Sequence, residues 1–156
     1  MGIAITLKEY LDSHGLDYEV LEHRRSDSAL TTSEVAHVPG DRMAKSVLLG
    51  DSESYLLAVV PANYRVKLSE IARLTGRRFH LVSEDEVEEA FDDCEIGAIP
   101  PMGSLYGIET LVDSSLIAQS DIYCESGDHS KLLHMNIDTF CAAEEEAVVA
   151  PIGRHL

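Results

Sequence analysis

The chain has 156 residues, 45% of them apolar, and carries 12 basic against 28 acidic side chains, a net charge of −16. That length and apolar content fit one soluble domain with a real core, and they exclude general disorder. No apolar run nears the roughly 18 residues of a membrane span, and the acidic balance excludes broad, non-specific nucleic-acid binding, which runs on Lys and Arg contacts to phosphate.

In chain order, Thr6 with Glu9 three residues on reads as a capping box, and Leu7, Tyr10 and Leu11 continue at helical spacing to Gly15. Tyr18 to His23 alternates as a short strand. A second helix is expected over Thr32–His37, closed by Pro39-Gly40. Ala44–Leu49 and Tyr55–Val60 are apolar, β-branched runs around Gly50-Asp51-Ser52-Glu53-Ser54, a hairpin pattern. Leu68, Ile71, Ala72 and Leu74 make a helix stopped by Gly76. Phe79–Val82 is a short strand. Ser83 caps an acidic helix, Glu84–Phe91, whose first-turn carboxylates suit the helix dipole. Gly97–Gly107 has three glycines and Pro100-Pro101 but is otherwise apolar, so it reads as a constrained loop. Strands follow at Ile108–Val112, Asp121–Cys124 and Leu132–Ile137, with a turn at 125–130 and a short helix from Asp138; the tail from Ala150 gives no pattern. Strands joined by tight turns, with a few short helices, predict an α+β fold with a mixed, mostly antiparallel sheet curled toward a barrel.

The charge is uneven. Residues 24–78 carry a net charge of +3, residues 79–156 a net of −15 and residues 1–23 a net of −4. One locally positive face suits a small, defined anionic ligand; a solvated surface without a ligand is the other reading. Cys94, Cys124 and Cys141 are odd in number and far apart, which argues against a disulfide framework and a zinc knuckle and for free thiols in a reducing cytoplasm. Met1 to Thr6 lacks a basic segment followed by a long apolar one, so no signal peptide is expected.

Lys45 lies inside Met43-Ala44-Lys45-Ser46-Val47-Leu48-Leu49 and by period-2 alternation shares a face with Met43, Val47 and Leu49. A lysine there is either an edge-strand gatekeeper or a functional ammonium. Gly97-Ala98-Ile99-Pro100-Pro101-Met102-Gly103 either connects two elements or turns backbone amides toward a ligand. His129, in the Gly127-Asp128-His129 turn, is an exposed turn residue or a site residue, and His134 belongs to a strand. No metal-ligand spacing, phosphate loop, dinucleotide motif or serine-hydrolase elbow is present.

Taken in order, the helix–strand start, AKSVLL around Lys45, YLLAVVPAN, LSEIARLTG, GAIPPMG, the GDH turn before LLHM and the Asp-Thr-Phe ending resemble the YbaK-type aminoacyl-tRNA deacylases, relatives of the editing insertion domain of bacterial prolyl-tRNA synthetase. The resemblance covers about residues 5 to 142. It implies a single editing domain over residues 1–156, an α+β fold around a barrel-like mixed sheet, no cofactor or metal, and a cytoplasmic enzyme. It implies hydrolysis of the ester joining a wrong amino acid to tRNA, commonly alanine or cysteine on proline tRNA. It carries the family's lysine onto Lys45, its GxxxP loop onto Gly97 and Pro101, with Ala98, Ile99 and Pro100 between, and its pocket histidine onto His129 beside Gly127, with Ser46 following the lysine. The implied partners are the CCA end of tRNA and an aminoacyl-tRNA synthetase, with no membrane and no DNA. The alternative is a non-catalytic module on the same fold that binds a tRNA end, a small ligand or a synthetase.

Overall fold

In the computed structural model the described residues are 2–26 and 28–156; Asp27, one of the acids of the 24–78 segment, and Met1 lie outside them. The elements are α1 (Ile5–Ser13), β1 (Glu19–Glu22), α2 (Ala29–Val35), β2 (Met43–Gly50), β3 (Tyr55–Pro61), β4 (Tyr64–Val66), α3 (Leu68–Thr75), β5 (His80–Leu81), α4 (Glu84–Ala90), β6 (Glu109–Asp113), α5 (Ser114–Ile117), β7 (Asp121–Glu125), β8 (Lys131–Asn136), α6 (Ile137–Ala143), β9 (Val148–Ala150) and β10 (Gly153–His155). Short 3₁₀ turns occupy Gly40–Arg42 and Gly103–Tyr106, the second inside the stretch expected to be loop throughout.

The sheet is mixed and mostly antiparallel, as expected. Its strands run β1-β8-β7-β2-β3-β6-β9, with β5 beside β2, and β4 pairs β10 in a separate two-stranded ribbon. The β2–β3 hairpin is central, with Lys45 opposite Val60 and Ser46 opposite Val59. Its turn closes because Asp51 accepts the amides of Glu53 and Ser54, an Asx turn that polar loop residues favour. Parallel pairing of β2 with β7 sets Met43 beside Tyr123 and Ala44 beside Cys124.

Alternation divides the sheet into two buried faces. Ala44, Leu48, Leu57, Val59, Val112, Cys124 and Leu133 enter the main core, which also contains Leu7, Leu11, Phe91, Ile99, Met102 and Phe140. The opposite face carries two smaller clusters. One contains Met43, Leu132, Ala29, Val38 and Ala62; the other contains Leu49, Leu56, Ala58, Val60, Ile71 and Ile152. Both faces are covered, so β2 and β3 read as nearly continuous apolar runs rather than alternating ones.

Three local expectations shift. The first helix begins at Ile5 after Ala4, which offers no side-chain cap; Thr6 lies in its first turn, and its amide donates to Asp93 at 2.9 Å. A distant carboxylate thus satisfies an orphan helix amide in place of a local capping box. The second helix starts at Ala29, not Thr32, because Ser28 caps it by accepting from the Thr31 amide. Ser83 caps α4 as expected, accepting from the Glu86 amide. The tail from Ala150, which gave no pattern, ends β9 and forms β10.

Candidate active site

Two segments far apart in sequence are joined at one end of β7. The Gly127 amide donates to the Ala98 carbonyl at 2.7 Å, and the Glu95 amide donates to the Gly127 carbonyl at 2.8 Å. His129 closes the clamp: its Nε2 lies 2.5 Å from the Ile96 carbonyl oxygen, and its backbone amide donates to Glu95. A carbonyl only accepts, so Nε2 carries a proton, and the tautomer with the lone pair is the one that leaves it on Nδ1. His129 is buried, 6% exposed, and is therefore not the exposed turn residue of the first reading. The Gly97–Pro101 loop and the Gly127–His129 turn form one unit.

Glycine is required at the centre of that unit. Gly127 has φ of 90°, and a Cβ there would lie 2.8 Å from the Ala4 Cβ and 3.3 Å from Cys94 Sγ. Gly97 has φ of 88°, which only glycine adopts without strain. Ala98, Ile99, Pro100 and Pro101 are buried. The Ala98 amide is already engaged by the Glu95 carbonyl at 3.1 Å. Among the described residues the Ile99 amide has no hydrogen-bond partner, and prolines have no N–H to offer.

Lys45 is half-buried on β2, and its Nζ donates to the Tyr64 carbonyl at 2.5 Å. It has no ion pair among the described residues, and burial without an anion lowers its pKa. Alternation turns Lys45 to the face with the two smaller clusters, between them in sequence register, whereas Ser46 turns to the main core with Ala44 and Leu48. No hydrogen bond joins Lys45 to the Gly97–Pro101 loop among the described residues. The Ser46 hydroxyl is buried without a partner.

Sequence reading missed Glu125. It ends β7, is 3% exposed, and neither of its carboxylate oxygens has a hydrogen-bond partner among the described residues. Burial alone pushes its pKa up to about 8. The β2–β7 pairing ends at Ala44–Cys124, one position before Lys45 and Glu125, and Glu125 pairs with Leu132 of β8, on the face of Tyr123 and Met43. Lys45 is thus a half-buried cation that reaches away to Tyr64, and Glu125 a buried carboxyl held toward its protonated form, each without an ionic partner among the described residues. A buried polar group without a partner is costly, and both carboxyl oxygens of Glu125 are in that position. A glutamate just before a glycine turn carries no motif, and only its burial distinguishes it.

Burial disfavours the thiolate at all three cysteines. Burial raises the pKa of Cys94 to about 12 and that of Cys124 higher still, and Cys141 is raised by burial and Asp138. His134 belongs to a surface cluster, its Nε2 2.6 Å from Asp121, which also holds Arg42 at 2.8 Å. A cleft of about 480 Å³ lies elsewhere, between Leu56, Leu74, Ile108 and Val148, and none of the residues named for the site lines it. No group of three or more potential metal ligands occurs among the described residues, and no helix is long and apolar enough to cross a membrane.

A family model described as aminoacyl-tRNA editing domain matches residues 23–141. No curated protein matches the chain. A solved structure described as a proposed trans-editing enzyme for prolyl tRNA synthetase superposes with a TM-score of 0.84 at 20% identity, covering 97% of this chain and 96% of that one. A scaffold protein used for computational epitope backbone grafting gives 0.84 at 21% identity, over 98% and 97% of the two chains. A proposed signal transduction protein from Marinobacter aquaeolei VT8 gives 0.75 at 19% identity, with 97% of this chain covering 31% of that one.

Proposed function

The chain belongs to the family of aminoacyl-tRNA editing domains, and on that premise we propose that it acts in trans to hydrolyse the ester of a small amino acid wrongly attached to tRNA, alanine or cysteine on proline tRNA. The observation that carries this reading is the clamp of the Gly97–Pro101 loop onto the Gly127–His129 turn.

An aminoacyl ester is already activated, so positioning and oxyanion stabilisation suffice. Water adds to the ester carbonyl, the bond to the terminal ribose oxygen breaks, that oxygen takes up the proton, and the free amino acid leaves. The Ile99 amide, unpartnered and next to the engaged Ala98 amide, receives the developing oxyanion. Gly97, Pro100 and Pro101 hold that amide in place. His129, its Nε2 proton committed to the Ile96 carbonyl, offers Nδ1 to the attacking water or to the neighbouring ribose 2′-hydroxyl. Lys45 anchors the 3′-terminal phosphate as a point charge. Glu125 accepts a hydrogen bond from the α-ammonium of the amino acid, and the terminal phosphate supplies the anion that Lys45 lacks. Ala98 and Gly127 shape the wall around the side chain, whereas Ser46 turns to the main core. Such a wall selects by size at about 1–3 kcal/mol per methylene, enough to keep out the larger cognate amino acid. A synthetase that hands over its mischarged tRNA is the expected partner.

The test is deacylation of alanyl-, cysteinyl-, seryl- and prolyl-tRNA by the wild type and Lys45→Ala. Release of one non-cognate amino acid, lowered about a hundredfold in the variant, supports the reading. No release from any of the four refutes it.

A further inference from the structure

Four of the nine cations that made residues 24–78 look like one positive face are neutralised by ion pairs in the fold. Arg25 pairs with Glu95, Arg42 with Asp121, Arg73 with Glu70, and Arg77 with Asp51. The β4–β10 ribbon is different. Arg65 and Arg154 stand directly opposite each other in its antiparallel register, and both are exposed. Neither has an ion pair among the described residues. The carboxylates near the ribbon are occupied elsewhere: Asp113 accepts the amides of Ile152 and Gly153, and Asp41 accepts from Asn63. Like charges directly opposite across strands are destabilising, and acids outnumber bases by 28 to 12 in this chain, so a bare arginine pair is conspicuous. Half-buried Lys67 follows β4, its amide bonded to the Ile152 carbonyl. The ribbon is also tied to the site, because Lys45 Nζ donates to the carbonyl of Tyr64, the residue before Arg65.

We propose that the Arg65–Arg154 ribbon is the landing surface for the phosphate backbone of the tRNA acceptor end, holding the stem while the terminal ester enters beside Lys45. Two guanidiniums on one ribbon face match successive backbone phosphates, and at physiological ionic strength screening within about 8 Å makes this local pair, not the distant acids, what a docked phosphate experiences. Arg154 lies outside the matched family segment, residues 23–141, so this surface is built by the chain's own C-terminal strand.

This inference rests on the editing reading for its substrate, and the experiment separates the two. Arg65→Gln/Arg154→Gln is compared with wild type on alanyl- and cysteinyl-tRNA(Pro), on the same amino acids esterified to a CCA trinucleotide, and for direct binding of uncharged tRNA(Pro). The double variant is expected to raise KM for full tRNA about tenfold with kcat unchanged and to weaken binding of uncharged tRNA. It should also reduce the slope of log(kcat/KM) against log[salt] above 0.1 M by about 1.5, the loss of two phosphate contacts, while leaving the trinucleotide esters unaffected. An equal loss on trinucleotide and full tRNA, or unchanged binding and salt slope with full tRNA, overturns the inference. A wild type that binds uncharged tRNA through the arginines but hydrolyses no ester overturns the editing reading and leaves the ribbon standing.

Discussion

Replacing Glu125 with Gln tests the unpaired buried carboxyl without requiring any substrate. Its pKa goes from 4.5 in the unfolded chain to about 8 in the fold, and desolvation is the sole cause. The folded state therefore holds the proton more tightly than the unfolded state. The native contribution is fully present below pH 4.5 and is lost as pH rises toward 8, at about 1.4 kcal/mol per pH unit. By pH 7 the wild type has given up about 3 kcal/mol, and above pH 8 about 5 kcal/mol, relative to a chain with a neutral group there. Gln is nearly isosteric with the protonated acid, so the two proteins should be about equally stable at pH 4.5. The variant should lead by about 3 kcal/mol at pH 7. Urea unfolding of both proteins from pH 4.5 to 8.5 reads the difference and cancels every other titrating group. Parallel stability profiles would show that Glu125 is solvated or paired in solution, and its assignment to the substrate ammonium would fall with them.

Gly127→Ala forces a Cβ to within 2.8 Å of Ala4 at φ of 90°; a loss of about 2–4 kcal/mol in thermal unfolding, with activity lost in parallel, is expected from strain and overpacking together. An unchanged Tm would refute the tight approach of α1 to this turn. Ser46→Ala removes a buried hydroxyl that has no partner, so stability should rise by about 1 kcal/mol while KM for the edited aminoacyl-tRNA stays unchanged. A loss of stability in urea unfolding would show that the hydroxyl is hydrogen-bonded in solution.

The strands around the site were legible because β2, β3, β7 and β8 combine apolar runs with turn residues that chain physics reads directly. Lys45 stood out for the same reason, as a cation inside such a run. The clamp was not legible: it depends on the carbonyls of Ile96 and Ala98 meeting His129 and Gly127 some thirty residues later, and no local propensity encodes that meeting. Glu125 was hidden because its burial comes from the packing of β7 against β8 and the core, not from its sequence neighbours. The tail was unreadable because a three-residue strand has no measurable period, and β10 exists only through its pairing with β4, about ninety residues earlier. The first helix cap failed for a related reason. Thr6 had the right neighbours for a local box, but Asp93 arrives from a distant loop and takes its amide.

The net charge of −16 and the bare arginine ribbon act over different ranges, and that difference is measurable. Net charge repels tRNA over the Debye length, about 30 Å at 0.01 M salt and about 8 Å at 0.15 M. The arginine contacts act only at docking distance and weaken steadily as salt competes for the phosphates. Raising salt from 0.01 M should first speed the reaction by removing repulsion and then slow it by displacing the contacts, so kcat/KM for full tRNA should pass through a maximum. In Arg65→Gln/Arg154→Gln the falling limb should flatten and the rising limb persist, because two lost charges make the molecule more negative still. Trinucleotide esters, with few phosphates to repel or hold, should show neither limb. A wild type whose kcat/KM falls monotonically from 0.01 M would mean that the acids never repel the incoming tRNA. The chain's charge would then be so segregated that substrate meets only its basic side.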